Sequence, residues 1–147
     1  MRIAVEAVLR AAPNEVRAAL DNPALLRFIA WPLLGFRPIG APFPERWTPG
    51  EYRAWLLFAG VFPLGRQWIV ISHPTPMSLR DNGRGDLVRR WDHLIVLEAH
   101  PKGTLYRDRV DIEAGVLTLP VWVFAWVFYR WRQRRWQRLI ANGLDTL

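Results

Sequence analysis

Hydrophobic and polar positions along the chain divide it into short segments of clear character. Residues 2–10 carry Ile3, Val5, Val8 and Leu9 between polar ends with no breaker, which predicts a strand. Ala12-Pro13-Asn14-Glu15 then opens a short helix continued by residues 15–20, proline being tolerated in a first turn. Asp21-Asn22-Pro23 repeats the device, with Asn22 as N-cap, Pro23 at the first helical position and residues 24–30 as a second short helix that Pro32 stops. Pro32, Pro38, Pro42, Pro44 and Pro49 crowd the next stretch, leaving room for one short edge strand at residues 34–39.

After Gly50 the texture becomes strand-like. Residues 51–59 and 66–73 predict two strands around a turn at Gly60-Val61-Phe62-Pro63-Leu64-Gly65. A short strand follows at 77–81, then a turn at Asn82-Gly83 and Gly85. Residues 87–99 predict a long strand, Pro101-Lys102-Gly103 a hairpin turn, and 104–113 its partner. The last element is a helix over residues 119–142, with Thr118 as N-cap, Pro120 in its first turn and Asn142-Gly143 as its stop. Trp122, Trp126, Tyr129, Trp136 and Ile140 fall on one stripe with Gln133, while Arg130, Arg132, Arg134, Arg135 and Arg138 fall mostly off it, on an expected solvated face.

Six or seven hairpin-joined strands, two short helices after the first strand and one long C-terminal helix predict an α+β fold in one domain spanning 1–147. An antiparallel sheet has one face to cover, and only the last helix is long enough to cover it. A curved sheet wrapped around a helix leaves a space between them, and such a space is a ligand cavity.

This arrangement resembles the SRPBCC superfamily, the helix-grip fold of START domains, birch-allergen-like proteins and polyketide cyclases. Its carriers are the opening strand followed by Ala12-Pro13-Asn14-Glu15-Val16, the Pro63-Leu64-Gly65 turn, Trp91-Asp92-His93 on the long strand, Gly103-Thr104 with Asp108-Arg109-Val110 on the next, and the terminal helix with Arg130, Arg135 and Leu139. The proline-rich stretch 31–49 departs from the pattern. The resemblance implies a hydrophobic cavity for lipid-like or aromatic small molecules, on a fold that carriers, sensors and enzymes share.

Strand alternation nominates the lining. Trp91, His93, Ile95 and Leu97 share the more apolar face of one long strand, and Tyr106, Asp108, Val110 and Ile112 that of its partner. The expected ligand-binding set is therefore Trp91, His93, Ile95, Tyr106, Asp108 and Val110, with Phe124 and Phe128 from the helix. Trp55 and Trp68 join it from strands whose alternation does not choose a face. Asp108 is the one expected inward carboxylate and His93 the one inward imidazole. A polar group among apolar ones is costly unless paired, so each is a ligand anchor, an acid/base group or a locally satisfied residue. A Lys102-Gly103 turn would put Leu97 opposite Asp108 and hold His93 out of its reach.

No metal, cofactor or catalytic residue is assigned. His73, His93 and His100 lack ligand spacing. Asn82-Gly83-Arg84-Gly85 precedes a strand rather than a helix, unlike a phosphate loop, and Ser72 and Ser78 lack a nucleophile elbow.

Composition changes this picture in two places. The chain has no cysteine, which excludes disulfides and thiolate chemistry. It has nine Trp, one Lys and a net charge of +7. Read by position, part of that charge is local to residues 130–138. The plain reading of this helix end is a solvated face with cations near a helix C-terminus. The first alternative is an anionic membrane surface with Trp at the interface. A single-stranded nucleic acid bound through phosphates and stacking is the weaker alternative. The uncharged run at 114–129 is short of the about 20 apolar residues a span requires. Met1 to Arg10 has no apolar core of a secretory signal, so the expected location is cytoplasmic, with peripheral membrane contact allowed. The expected function is binding of a small hydrophobic ligand. The alternative is a cyclase- or dehydratase-type enzyme using Asp108 or His93 as acid/base.

Overall fold

A computed structural model describes residues 1–147. In chain order the elements are β1 (Arg2–Leu9), α1 (Pro13–Leu20), α2 (Pro23–Ala30), β2 (Leu34–Pro38), β3 (Gly50–Phe58), β4 (Phe62–Ser72), β5 (Ser78–Gly85), β6 (Arg90–His100), β7 (Gly103–Glu113) and α3 (Thr118–Asn142). Short 3-10 turns flank α3 at Gly115–Leu117 and Leu144–Thr146. All seven strands form one antiparallel sheet in the order β1-β7-β6-β5-β4-β3-β2. This is the expected α+β architecture, with two short helices after the first strand and a long C-terminal helix.

The local signals account for the first helices. Ala12 N–H donates to the Glu15 carboxylate at 2.9 Å to open α1, and Asn22 Oδ1 accepts from Ala24 N–H at 2.9 Å to open α2. Thr118 differs from expectation. It is the first residue of α3 rather than its cap, and its hydroxyl accepts from Ala114 N–H and donates to Gly115 O, bracing the turn before the helix.

Three turns also differ. Ala59 and Gly60, at φ 50° and 72°, make the β3–β4 reversal, so Pro63-Leu64-Gly65 lies inside β4, beside a register shift at Leu56/Leu57. Two successive residues at positive φ match the twist of a tight hairpin. Asn82-Gly83-Arg84-Gly85 is strand, not turn. A Cβ on Gly83 would stand 2.6 Å from Trp68 O and one on Gly85 2.5 Å from Gln67 Oε1, so these glycines admit close strand packing. Finally, Pro101-Lys102 forms the β6–β7 loop, pairing His100 with Gly103 and Ile95 with Asp108. The expected register is off by two residues, which preserves every face and changes every partner.

The stripe on α3 is displaced from expectation. Its buried residues are Ala125, Phe128, Tyr129, Arg132, Trp136 and Leu139. Trp126 is 41% exposed beneath the Arg130 guanidinium, which lies 4.0 Å from its ring centre. Ala125, fully buried, lets the helix approach the sheet closely. The helix packs on β1, β7 and α2. It also covers the outer edge of β1: Trp122 Nε1–H donates to Arg2 O at 3.0 Å, and the Gln133 amide donates to Glu6 O and accepts from Glu6 N–H, both at 3.2 Å. Away from β1 and β7 the helix and sheet separate. No helix is long and apolar enough to cross a membrane.

Gly103 is the tightest point of the β6–β7 hairpin, at φ +131° with an added Cβ 2.2 Å from Leu9 O. Gly103→Ala combines backbone strain with a clash against backbone. Urea denaturation is expected to show a loss of about 2 kcal/mol.

Candidate functional site

The gap between α3 and the sheet holds a cavity of about 130 Å³, and thirteen of its eighteen lining residues are hydrophobic. The apolar wall includes Leu34, Leu56, Leu64, Val88, Val121 and Phe124. A smaller lobe of about 50 Å³ lies toward α1 and α2, against Leu20, Leu25, Ile29 and Trp47. The two lobes share five residues: Leu26, Ile69, Asp81, His93 and Arg132. All the polar groups common to both lobes therefore sit at one junction.

The expected lining residues divide into three groups. Trp91, His93, Phe124 and Phe128 border the larger lobe, and Ile95 the smaller. Tyr106, Asp108 and Val110 face inward and are fully or almost fully buried, but border neither lobe. Trp55 and Trp68 lie on the opposite face of the sheet, because Ala54 and Ile69 take the inward positions of β3 and β4. Trp68 sits between the guanidiniums of Arg66 and Arg84, at 5.3 and 5.5 Å.

Behind the junction lies a buried network. His93 Nε2 is 2.7 Å from Asp108 Oδ1, so the separation expected from the hairpin register does not hold. Opposite Asp108 is Ile95, and His93 reaches the carboxylate diagonally. Tyr106 O–H donates to the same oxygen at 3.0 Å. Arg132, 4% exposed, places NH1 3.5 Å from His93 Nδ1 and NH2 3.4 Å from the Tyr106 hydroxyl oxygen. Its ring-facing side lies 5.1 Å from the centre of Tyr129, whose hydroxyl accepts from Trp91 Nε1–H at 3.1 Å.

These contacts define the protonation states. His93 Nδ1 faces only a donor and must accept, while Nε2 faces a carboxylate and must donate. The imidazole is thus the neutral Nε2–H tautomer. Burial lowers the His93 pKa from its ordinary value, against the opposing pull of Asp108. Burial pushes Asp108 upward, but Arg132, His93 and Tyr106 outweigh it and hold the carboxylate below its usual range. Asp108 and Arg132 therefore balance each other's charge through His93 and Tyr106 rather than by touching.

Asp81 and Arg132 are the junction residues that the sequence reading missed. Arg132 was expected on a solvated face, yet it follows Phe128 and precedes Trp136 by one turn each, within the buried stripe. Asp81 follows buried Leu79 at strand spacing and precedes buried Gly83, a signal hidden by reading Asn82-Gly83 as a turn. Its Oδ1 accepts from Val70 N–H at 2.8 Å. Its Oδ2 makes no hydrogen bond to the protein, and the residue lines both lobes. Burial raises this carboxyl from 3.8 to about 7, against the Val70 hydrogen bond and the Arg132 charge. No group of three or more His, Asp or Glu side chains is placed to hold a metal ion.

No family model matches the sequence, and no curated protein matches it. Solved structures do match in shape. A protein from Chromobacterium violaceum superimposes with a TM-score of 0.73 at 17% identity, covering 95% of this chain and 96% of that one. An AHSA1-like protein from Aeromonas hydrophila gives 0.66 at 15% identity, covering 98% and 95%. DynU16, from the dynemicin biosynthetic locus, gives 0.63 at 15% identity, covering 97% of this chain and 48% of its own. Identities this low speak for fold alone. The chain has the helix-grip fold.

Asp81 has a stability signature with a definite sign. Its folded pKa is raised, so the folded chain retains a proton that the unfolded chain loses, and stability falls as pH rises from about 4 to about 7. Asp81→Asn removes this loss while keeping an acceptor for Val70 N–H. The melting temperature of the variant relative to the native chain is expected to climb through that window and level off above it.

Proposed function

We propose that the protein binds a small hydrophobic ligand in the cavity between the sheet and α3. The observation that carries this reading is the mainly apolar space of about 130 Å³ between the helix and the strands. An apolar protein cavity of about 150 Å³ accommodates benzene, so the larger lobe suits a ligand of single-ring size with a short extension into the smaller one. Trp91, His93, Ile95, Phe124 and Phe128 are the proposed contacts. Tyr106, Asp108 and Val110 act from behind, by holding the wall. The enzymatic alternative through Asp108 or His93 has less support, because Asp108 borders neither lobe and both His93 ring nitrogens have partners.

A second reading, peripheral contact with an anionic membrane, draws on the outer surface. Val61 and Phe62 at the β3–β4 hairpin tip are well exposed, as are Val116, Leu119, Val123, Trp126 and Val127 around the start of α3. Phe58 packs edge-on against Phe124, with ring centres 6.2 Å apart, so hairpin and helix form one surface. Arg130, Arg134 and Arg138 continue the exposed side of α3 beyond its apolar end. Apolar residues at the acyl boundary beside arginines at headgroup depth suit such a surface.

For the cavity, titration with ethylbenzene followed by heteronuclear NMR is expected to shift signals of Leu64, Val88 and Phe124. Leu64→Trp, which fills the lobe from β4, is expected to weaken binding at least about tenfold while the fold is retained. For the surface, co-sedimentation with vesicles of anionic lipid is expected to exceed that with neutral vesicles. Phe62→Glu with Val123→Glu is expected to reduce it at least about fivefold.

A further inference from the structure

The junction of the two lobes holds an unusual pair of side chains. Arg132 is buried and charged, and no carboxylate lies within ion-pair distance of it. Of its five N–H donors, two have protein acceptors, both long, at 3.4 and 3.5 Å. Asp81 lines the same space, and its Oδ2 makes no hydrogen bond to the protein. In an apolar cavity such groups are costly unless a bound molecule completes them.

Charge balance restricts that molecule. Asp108 already compensates Arg132 across His93 and Tyr106. An anionic ligand would add a second buried negative charge beside Asp108, and a cationic one would face Arg132. An uncharged ligand leaves the balance intact. The remaining need is for an oxygen with two lone pairs.

We infer that the junction recognises a carbonyl oxygen on an uncharged, ring-sized ligand, with an Arg132 N–H and the protonated Asp81 Oδ2–H both donating to it. This rests on the proposal that the cavity binds a hydrophobic ligand. Asp81 loses its donor as it ionises, so recognition weakens as pH rises through the range near 7 where this carboxyl titrates.

The groups facing Asp81 leave it alone in that window. Arg132 and Tyr129 come from α3, His93 from β6 and Arg66 from β4, while Asp92, on the other face of β6, acts only as a distant charge. Arg132 stays charged, and burial holds Tyr129 well above its ordinary value. His93 is held below its own, and Arg80 and Arg90 keep Asp92 ionised.

The test compares acetophenone with ethylbenzene, which differ by the carbonyl oxygen, by calorimetric or NMR titration at about pH 6 and about pH 8.5. Acetophenone is expected to bind about tenfold more tightly at the lower pH, with the advantage falling to about threefold or less at the higher. Benzoate and benzylamine are expected to bind more weakly than acetophenone. Asp81→Asn, which keeps an N–H donor at every pH, is expected to retain the advantage at both values. Asp81→Leu is expected to cut it to about threefold or less at both. Ethylbenzene binding with no ketone advantage at the lower pH, or with an advantage indifferent to pH, overturns the inference while leaving the cavity reading standing. If neither compound binds, both fall.

Discussion

A seven-stranded sheet is about 29 Å from edge to edge, and a helix with its side chains is only about 10–12 Å wide. One helix therefore cannot cover one face of such a sheet. The chain meets this constraint by setting α3 close over β1 and β7, with Ala125 at the near approach, and bringing α1 and α2 in beside it. The strands left over, β2 to β5, meet the helix only through long side chains such as Phe58 against Phe124. The cavity is what remains of that mismatch in width, and its apolar wall is simply the uncovered part of the sheet's inner face.

The same mismatch makes the buried charges possible. Arg132 projects from α3 where helix and sheet begin to part, and the polar side chains of three strands meet it there: Asp81 from β5, His93 from β6, and Tyr106 with Asp108 from β7. A buried arginine in a closed core would need direct ion pairing. Here the compensating carboxylate is one layer away, held by an imidazole and a phenol. The result is a wall that is neutral as a whole, with its positive end turned to the cavity and its negative end turned away.

Much of the fold was legible in the sequence because it rests on local chemistry. Asn22-Pro23, the alternation from Trp91 to Leu97 and the proline crowding near β2 each act within a few residues. The failures share a cause. Asn82-Gly83 reads as a turn, yet its glycine is required by Trp68 O across the sheet. Hairpin parity follows from alternation, but a slip of two residues leaves parity unchanged, so the His93–Asp108 contact was invisible. The stripe on α3 was drawn through its largest rings. Packing instead favoured the small Ala125 and drew Arg132 inside. Tertiary neighbours, not residue type, decided each of these points, and the candidate site depends on all three.

The edges of the sheet behave differently from its faces. Trp122 and Gln133 occupy outward backbone groups of β1, standing where a further strand would bond. At the far edge β2 is short and ends in Pro38, which has no N–H to offer. An approaching chain thus finds one rim occupied by side chains and the other interrupted. Both features hinder growth by strand addition and so work against edge-to-edge aggregation in a chain so rich in tryptophan and valine.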